Sequence, residues 1–202
     1  MYLSAFINGA LLGGGLIIAI GAQNMFVLRQ GLARDQVFVV VLVSSLIDAA
    51  LIILGAMGLG SLISAYPLAV TLASMGGAVF LILYGFVSLY RAFRPAHSLD
   101  ITAQAVTSSF KRAVAMTLAF GLLNPHVYLD TVLLLGGIAA QYEMAARQYF
   151  VAGAVAMSFV WFFAIGYGAR VLSPLMRHPM GGRILNGAVA LMMFSVAFSL
   201  IR

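Results

Sequence analysis

The sequence contains no cysteine. Disulfides, thiolate metal sites and cysteine nucleophiles are excluded with it. Charge is almost as scarce. Only 8% of the 202 residues are charged, five acids against eleven bases, where a soluble domain carries roughly a quarter. A water-soluble globule needs a mostly polar outside, and this chain has too little polar material to make one. Disorder requires the opposite composition. The net charge of +6 comes from bases standing singly or in pairs at the ends of apolar runs, too sparse for a nucleic-acid footprint. Three scattered histidines give no metal-ligand spacing. No Ser/His/Asp arrangement, phosphate loop or His-Glu-x-x-His motif occurs, which argues against an enzyme or a cofactor. What the chain does have is apolar surface, 63% of its residues. The class that remains is an all-α integral membrane protein.

The charges divide the chain into apolar segments. A spanning helix needs about 20 apolar residues, and six are predicted, near 3–28, 37–61, 68–91, 113–139, 148–170 and 183–201. The uncharged run 49–90 is divided at Tyr66-Pro67, because proline disfavours helix in the residue before it. The first segment is too long, and lacks the preceding bases, for a signal peptide, so it is expected to persist in the mature protein. Runs such as Leu51-Ile52-Ile53-Leu54 do not alternate as barrel strands would.

Nine of the eleven bases fall in the loops after the first, third and fifth segments, among them Arg29, Arg34, Arg91, Lys111 and Arg112. Basic loops are cytoplasmic, so both termini are expected outside. The single long loop, 92–112, carries Pro95, His97, Asp100 and Thr107-Ser108-Ser109. It separates two three-helix repeats, 1–91 and 113–202. With an odd number of spans in each, the second must lie inverted relative to the first, a common transporter plan.

Two acids fall inside the apolar segments. Asp48 lies 14 residues beyond Arg34, about 21 Å in, and Asp130 lies 18 beyond Arg112, about 27 Å in. No base stands at comparable depth. An acid there marks a site for a cationic substrate, a proton or both, unless it is a structural group bonded between helices. Two backbone interruptions accompany them. Gly13-Gly14-Gly15 and then Gly21-Ala22-Gln23-Asn24 break the first segment; Gly121 to His126, with Asn124 and Pro125, breaks the fourth. Paired interruptions in corresponding segments point to a transporter site. An opened turn exposes backbone groups, and a half-helix N-terminus favours a carboxylate. Gln23, Asn24 and Asn124 can orient polar ligand atoms.

On an ideal helix Asn124, Tyr128 and Thr131 share one face, and His126 and Asp130 another. Unwinding must re-aim them, or His126 and Asp130 form a separate pair. Trp161 is either a packed aromatic or a gate stacking on a cation. The glycines at 55, 58, 76, 77, 85, 136, 137 and 153 are read as close-packing positions. Gly-rich faces also permit a homodimer.

The stretches GAQNMFVLRQGL (21–32), LIDAALI around Asp48, MGGAVFLILYG (75–85) and LNPHVYLDTVLLLGGIAAQY (123–142) resemble the lysine exporter family, in its lysine/arginine exporter branch. The resemblance runs the length of the chain. Its functional pattern matches Gln23, Asn24, Asp48, Asn124, Pro125, Tyr128, Asp130, Trp161 and Phe162. Ala22 stands where the family has proline, Gly121-Leu122 where an aromatic often precedes Leu-Asn-Pro, and Met75 where a Trp is common. The resemblance implies export of L-arginine or L-lysine from the cytoplasm across a bacterial inner membrane, driven by an ion gradient. Asp48 and Asp130, the acids set inside apolar segments, are the expected proton-coupling groups. Export of neutral amino acids or other small solutes, and a scaffold without transport, stay open as alternatives.

Overall fold

The computed structural model of the protein describes residues 2–18, 21–59, 67–93, 109–124, 127–172 and 179–201. Pro95, His97, Asp100, Thr107, Ser108, Pro125 and His126 lie outside the described residues. Every regular element among the described residues is helical.

In chain order the helices are α1 (Tyr2–Ile18), α2 (Ala22–Ala33), α3 (Val37–Leu54), α4 (Pro67–Phe93), α5 (Phe110–Leu122), α6 (Tyr128–Ala139), α7 (Met144–Gly168) and α8 (Pro179–Ile201). A π-helical turn, Gly55–Leu59, extends α3, with Gly58 at φ 89°. Among the described residues four helical stretches are long and apolar enough to cross a membrane: Val37–Gly58, Ser74–Phe93, Met144–Val171 and Met180–Leu200. The bent pair α1 and α2, set at 80° to each other, makes a fifth if taken as one span. The outer surface is apolar. Leu3, Leu11, Met57, Leu83, Val171 and Leu191 are all exposed, as side chains facing lipid rather than water would be.

The first predicted segment is therefore two helices. The glycine run does not break it: Gly13 and Gly14 are buried within α1 against Ala154 and Met157 of α7. The interruption ends at Gly21, which is extended (φ −116°, ψ 177°), and the helix resumes at Ala22. A family-type proline at Ala22 is thus not needed for the break. The fourth segment is also two helices, since α5 ends at Leu122 and the π-helical winding of α6 starts at Tyr128. Pro cannot donate to the preceding turn, and Pro125 falls in this gap of the sequence.

The helices pair as α1 on α7, α4 on α8, and α3 against both α7 and α5. Absent side chains let the backbones meet. A Cβ at Gly9 would strike the Phe150 carbonyl, and one at Gly153 would strike the carbonyl of Phe6. Gly55 and Gly136 face each other where α3 crosses α6; a Cβ on Gly136 would lie 2.6 Å from the Gly55 carbonyl carbon. Gly77 and Gly85 are also close-packing positions, whereas Gly58, Gly76 and Gly137 open onto free space. Around these contacts, Phe26, Phe80, Tyr84 and Phe120 pack ring on ring, with Phe26 and Phe120 stacked at 4.7 Å. Such ring pairs contribute about 0.5–1.5 kcal/mol each beyond their burial.

Candidate functional site

The two interruptions and the buried acid come together at one cavity of about 320 Å³, within the size range of a small-ligand site. Its wall includes Gly21, Gln23 and Asn24 of the first break, Asp48 of α3, Asn124, Val127, Asp130 and Thr131 of the second, and Phe162 of α7. Met192, Ser195, Val196 and Ser199 of α8 close it. Those four, and Ser158, were not singled out from sequence. The signal for them was slight: Ser195 and Ser199 are one turn apart in an otherwise apolar segment.

Asp48 is only 4% exposed. Ser158 of α7 donates its hydroxyl to Asp48 Oδ2 at 3.2 Å. No base among the described residues acts on the carboxyl. The one buried base among the described residues, Arg29, was expected in a loop but lies inside α2, because that helix continues to Ala33. Its guanidinium turns to Tyr84, not to either aspartate.

The first turn of α2 opens onto the same cavity. Its N-cap, Gly21, offers no side chain to the free backbone N–H groups, so the helix end is left to attract a negative group. Asn24, in this turn, bridges the break. Its Nδ2 donates to the carbonyl of Ile17 at 2.7 Å, satisfying an acceptor of the last turn of α1. Its Oδ1 accepts from Trp161 Nε1 at 3.3 Å. Trp161 thus reaches the site through Asn24, and Phe162 is the aromatic on the wall. Gln23 is buried, and its Nε2 has no hydrogen-bond partner.

At the second break, the Asn124 carbonyl accepts from Val127 N–H at 3.1 Å. Residues 124, 127, 130 and 131 line the cavity together. An uninterrupted helix would have divided Asn124 from Asp130. The gap between α5 and α6 and the wide π-helical winding of α6 bring both to the wall. Tyr128 does not join them; its hydroxyl donates to the Leu122 carbonyl at 2.7 Å, taking up an acceptor left open by the end of α5. Pro125 and His126 lie outside the described residues.

A polytopic helical membrane protein whose broken helices meet at a cavity carrying acid and amide side chains has the architecture of a membrane transporter. Residues 15–202 match the model of the LysE type translocators. The chain belongs to that family. It is 42% identical over 182 residues, 90% of its length and 89% of the relative's, to a Mycobacterium tuberculosis protein named as a candidate amino-acid transporter. It is 38% identical over 201 residues to the arginine exporter protein ArgO of Serratia proteamaculans, covering 98% of this chain and 96% of that one. ArgO of Pectobacterium carotovorum is 37% identical over 199 residues, with 98% and 97% covered. No solved structure matches the chain.

Proposed function

We propose that the protein exports basic L-amino acids, arginine and lysine, from the bacterial cytoplasm in exchange for protons. The observation that carries this is the pairing, on one cavity wall, of an uncapped helix N-terminus with Asp48 and Asp130. A basic amino acid has the matching charges. Its carboxylate suits the N–H groups of the first turn of α2 and the open Nε2 of Gln23. Its α-ammonium and cationic tail suit Asp48 and Asp130. Asn24 and Asn124 orient the substrate, while Tyr128 and Trp161 hold the two breaks in shape around it. The relatives named as arginine exporters support the substrate class.

The membrane potential opposes export of a cation by about 2.3 kcal/mol per charge per 100 mV. A proton carried inward on Asp48 or Asp130 offsets that.

In this proposal the bent pair α1–α2 and the split pair α5–α6 each act as one span, giving six spans in two inverted repeats, 1–91 and 113–202, joined by the cytoplasmic loop 92–112. The helix pairing supports it. Exchanging the first three spans for the last three turns α1 on α7 into α5 on α3, and leaves α3 on α7 and α4 on α8 unchanged. The basic loops then face the cytoplasm and both termini the outside. With no native cysteine, a single cysteine at residue 2 tests this. Labelling by an impermeant reagent in intact cells is expected; labelling only after permeabilisation overturns the orientation.

The function is tested by radiolabelled arginine flux in proteoliposomes, with and without an imposed pH gradient. Arginine movement accelerated by an opposing proton gradient is the expected result. Movement of neutral amino acids but not arginine would transfer the site to the neutral class, and no flux of either would remove the transport reading.

A further inference from the structure

Away from the cavity, two arginines, one buried and one half-buried, have no acidic partner among the described residues. Arg29 of α2 is 5% exposed. Its Nη1 donates to the Tyr84 hydroxyl at 3.2 Å, and its guanidinium carbon lies 5.9 Å from the centre of the Tyr84 ring. Its Nη2 is buried without a partner. Tyr84, Ser88 and Arg91 follow at i, i+4 and i+7 on α4, so they share one face of that helix. The Ser88 hydroxyl oxygen and Arg91 Nη1 are also buried without partners. Arg91 feels the positive charges of Arg29 and of Arg112 in the first turn of α5, and no carboxylate among the described residues acts on it.

Burying charge in this way is costly unless something neutralises it. The open groups are two guanidinium N–H donors and a hydroxyl, arriving from two helices. A flat carboxylate is satisfied by a single guanidinium fork; a tetrahedral group with three or more oxygens can accept from both arginines and the serine together. Arg91 is half-buried and two residues from Phe93, the exposed end of α4, beside exposed Tyr90. As the end of a stretch long and apolar enough to cross a membrane, this end of α4 would fall at head-group level, where basic pockets between spans bind such groups. We propose that Arg29, Ser88 and Arg91 form a binding site for a phosphate oxyanion between α2 and α4, the head group of an anionic lipid being its source.

The test uses the full chain in neutral detergent, followed by thermal unfolding and native mass spectrometry. Phosphatidylglycerol and phosphatidylcholine are titrated in parallel, and sodium phosphate is compared with sodium chloride at equal ionic strength. Phosphatidylglycerol is expected to raise the unfolding midpoint saturably, and phosphatidylcholine is not. R91Q should weaken that response by about tenfold or more, and S88A by less. R91K, which keeps the charge but loses the fork, should fall between parent and R91Q. A saturable response to inorganic phosphate that R91Q abolishes supports the same site with a free anion as its source. The proposal is overturned if R91Q and S88A bind phosphatidylglycerol like the parent. It is also overturned if D100N lowers stability as R91Q does, with no further loss in the double variant, because the occupant is then the chain's own carboxylate.

Discussion

Ser158 on α7 holds Asp48 on α3 by a buried hydrogen bond of 3.2 Å to Oδ2. The bond ties the acid to the one helix that also packs against α1, α2 and α3. It uses one carboxylate oxygen and adds no charge, and no base among the described residues neutralises the acid. Serine is suited to this. A base at 158 would fill the site electrostatically, and an apolar residue would leave Oδ2 without its donor.

Asp48→Asn keeps the size of the side chain and its bond to Ser158 but removes the charge. Arginine efflux from proteoliposomes should fall at least tenfold, about 1.4 kcal/mol of lost interaction, with the unfolding midpoint little changed. Ser158→Ala should lower efflux less, since the charge remains and only its orientation loosens. Parental efflux by Asp48→Asn would remove the acid from the mechanism.

Asn24 and Trp161 can be separated in the same way. Trp161→Phe removes one hydrogen bond of 3.3 Å, worth about 0.5–1.5 kcal/mol. Asn24→Ala also strands the Ile17 carbonyl, which Asn24 takes up at 2.7 Å across the break. A buried acceptor left open costs about 1–3 kcal/mol. Asn24→Ala should therefore lower the unfolding midpoint further than Trp161→Phe. An equal loss in both would mean that the Ile17 bond contributes nothing.

How far these features were legible from sequence follows from the kind of signal each gives. Asp48 and Asp130 stood out because charge in an apolar run is conspicuous, and both line the cavity. The two breaks were legible as glycine and proline clusters, but not which glycines unwind. Gly13 and Gly14 pack against α7 within an intact helix and Gly15 is exposed on it, while Gly21 marks the edge of the break. That difference lies in what the neighbouring helix presents, which composition does not encode. Ser158 and Ser195 were invisible for a related reason: a serine in a membrane helix usually satisfies itself on its own backbone, as Ser45 does on the Val41 carbonyl. Arg29 was misplaced into a loop, because a base beside an apolar run reads as its end. Here Tyr84 receives it inside the bundle.

The glycines offer a paired test of packing. A Cβ at Gly153 has the Phe6 carbonyl in its way, and backbone cannot move aside cheaply. Gly153→Ala should push α1 off α7 and cost about 1–3 kcal/mol or more. Gly137 has nothing within 4 Å of the same added atom, and it sits in a helix, where alanine is favoured over glycine by about 0.8–1 kcal/mol. Gly137→Ala should leave stability unchanged or raise it. Thermal unfolding in detergent reads both, and a Gly153→Ala protein as stable as its parent would show that the α1–α7 contact is looser than described.

Tyr128 poses the sharpest question about the second break, because a direct role in binding and a role in shaping the break predict different kinetics. Its hydroxyl is engaged with the Leu122 carbonyl at 2.7 Å, at the point where α5 has run out of partners for its last acceptors. Tyr128→Phe keeps the ring and removes that donor, so stability should fall by about 1–3 kcal/mol. If the hydroxyl only shapes the break, the KM for arginine stays within about twofold of the parent, less than the contribution of one typical hydrogen bond, while the maximal rate drops as Asn124, Val127 and Asp130 lose their shared alignment. A KM rise of about tenfold with the maximal rate intact would instead put the hydroxyl on the substrate during transport, and the bond to Leu122 would then be a resting contact that the substrate displaces.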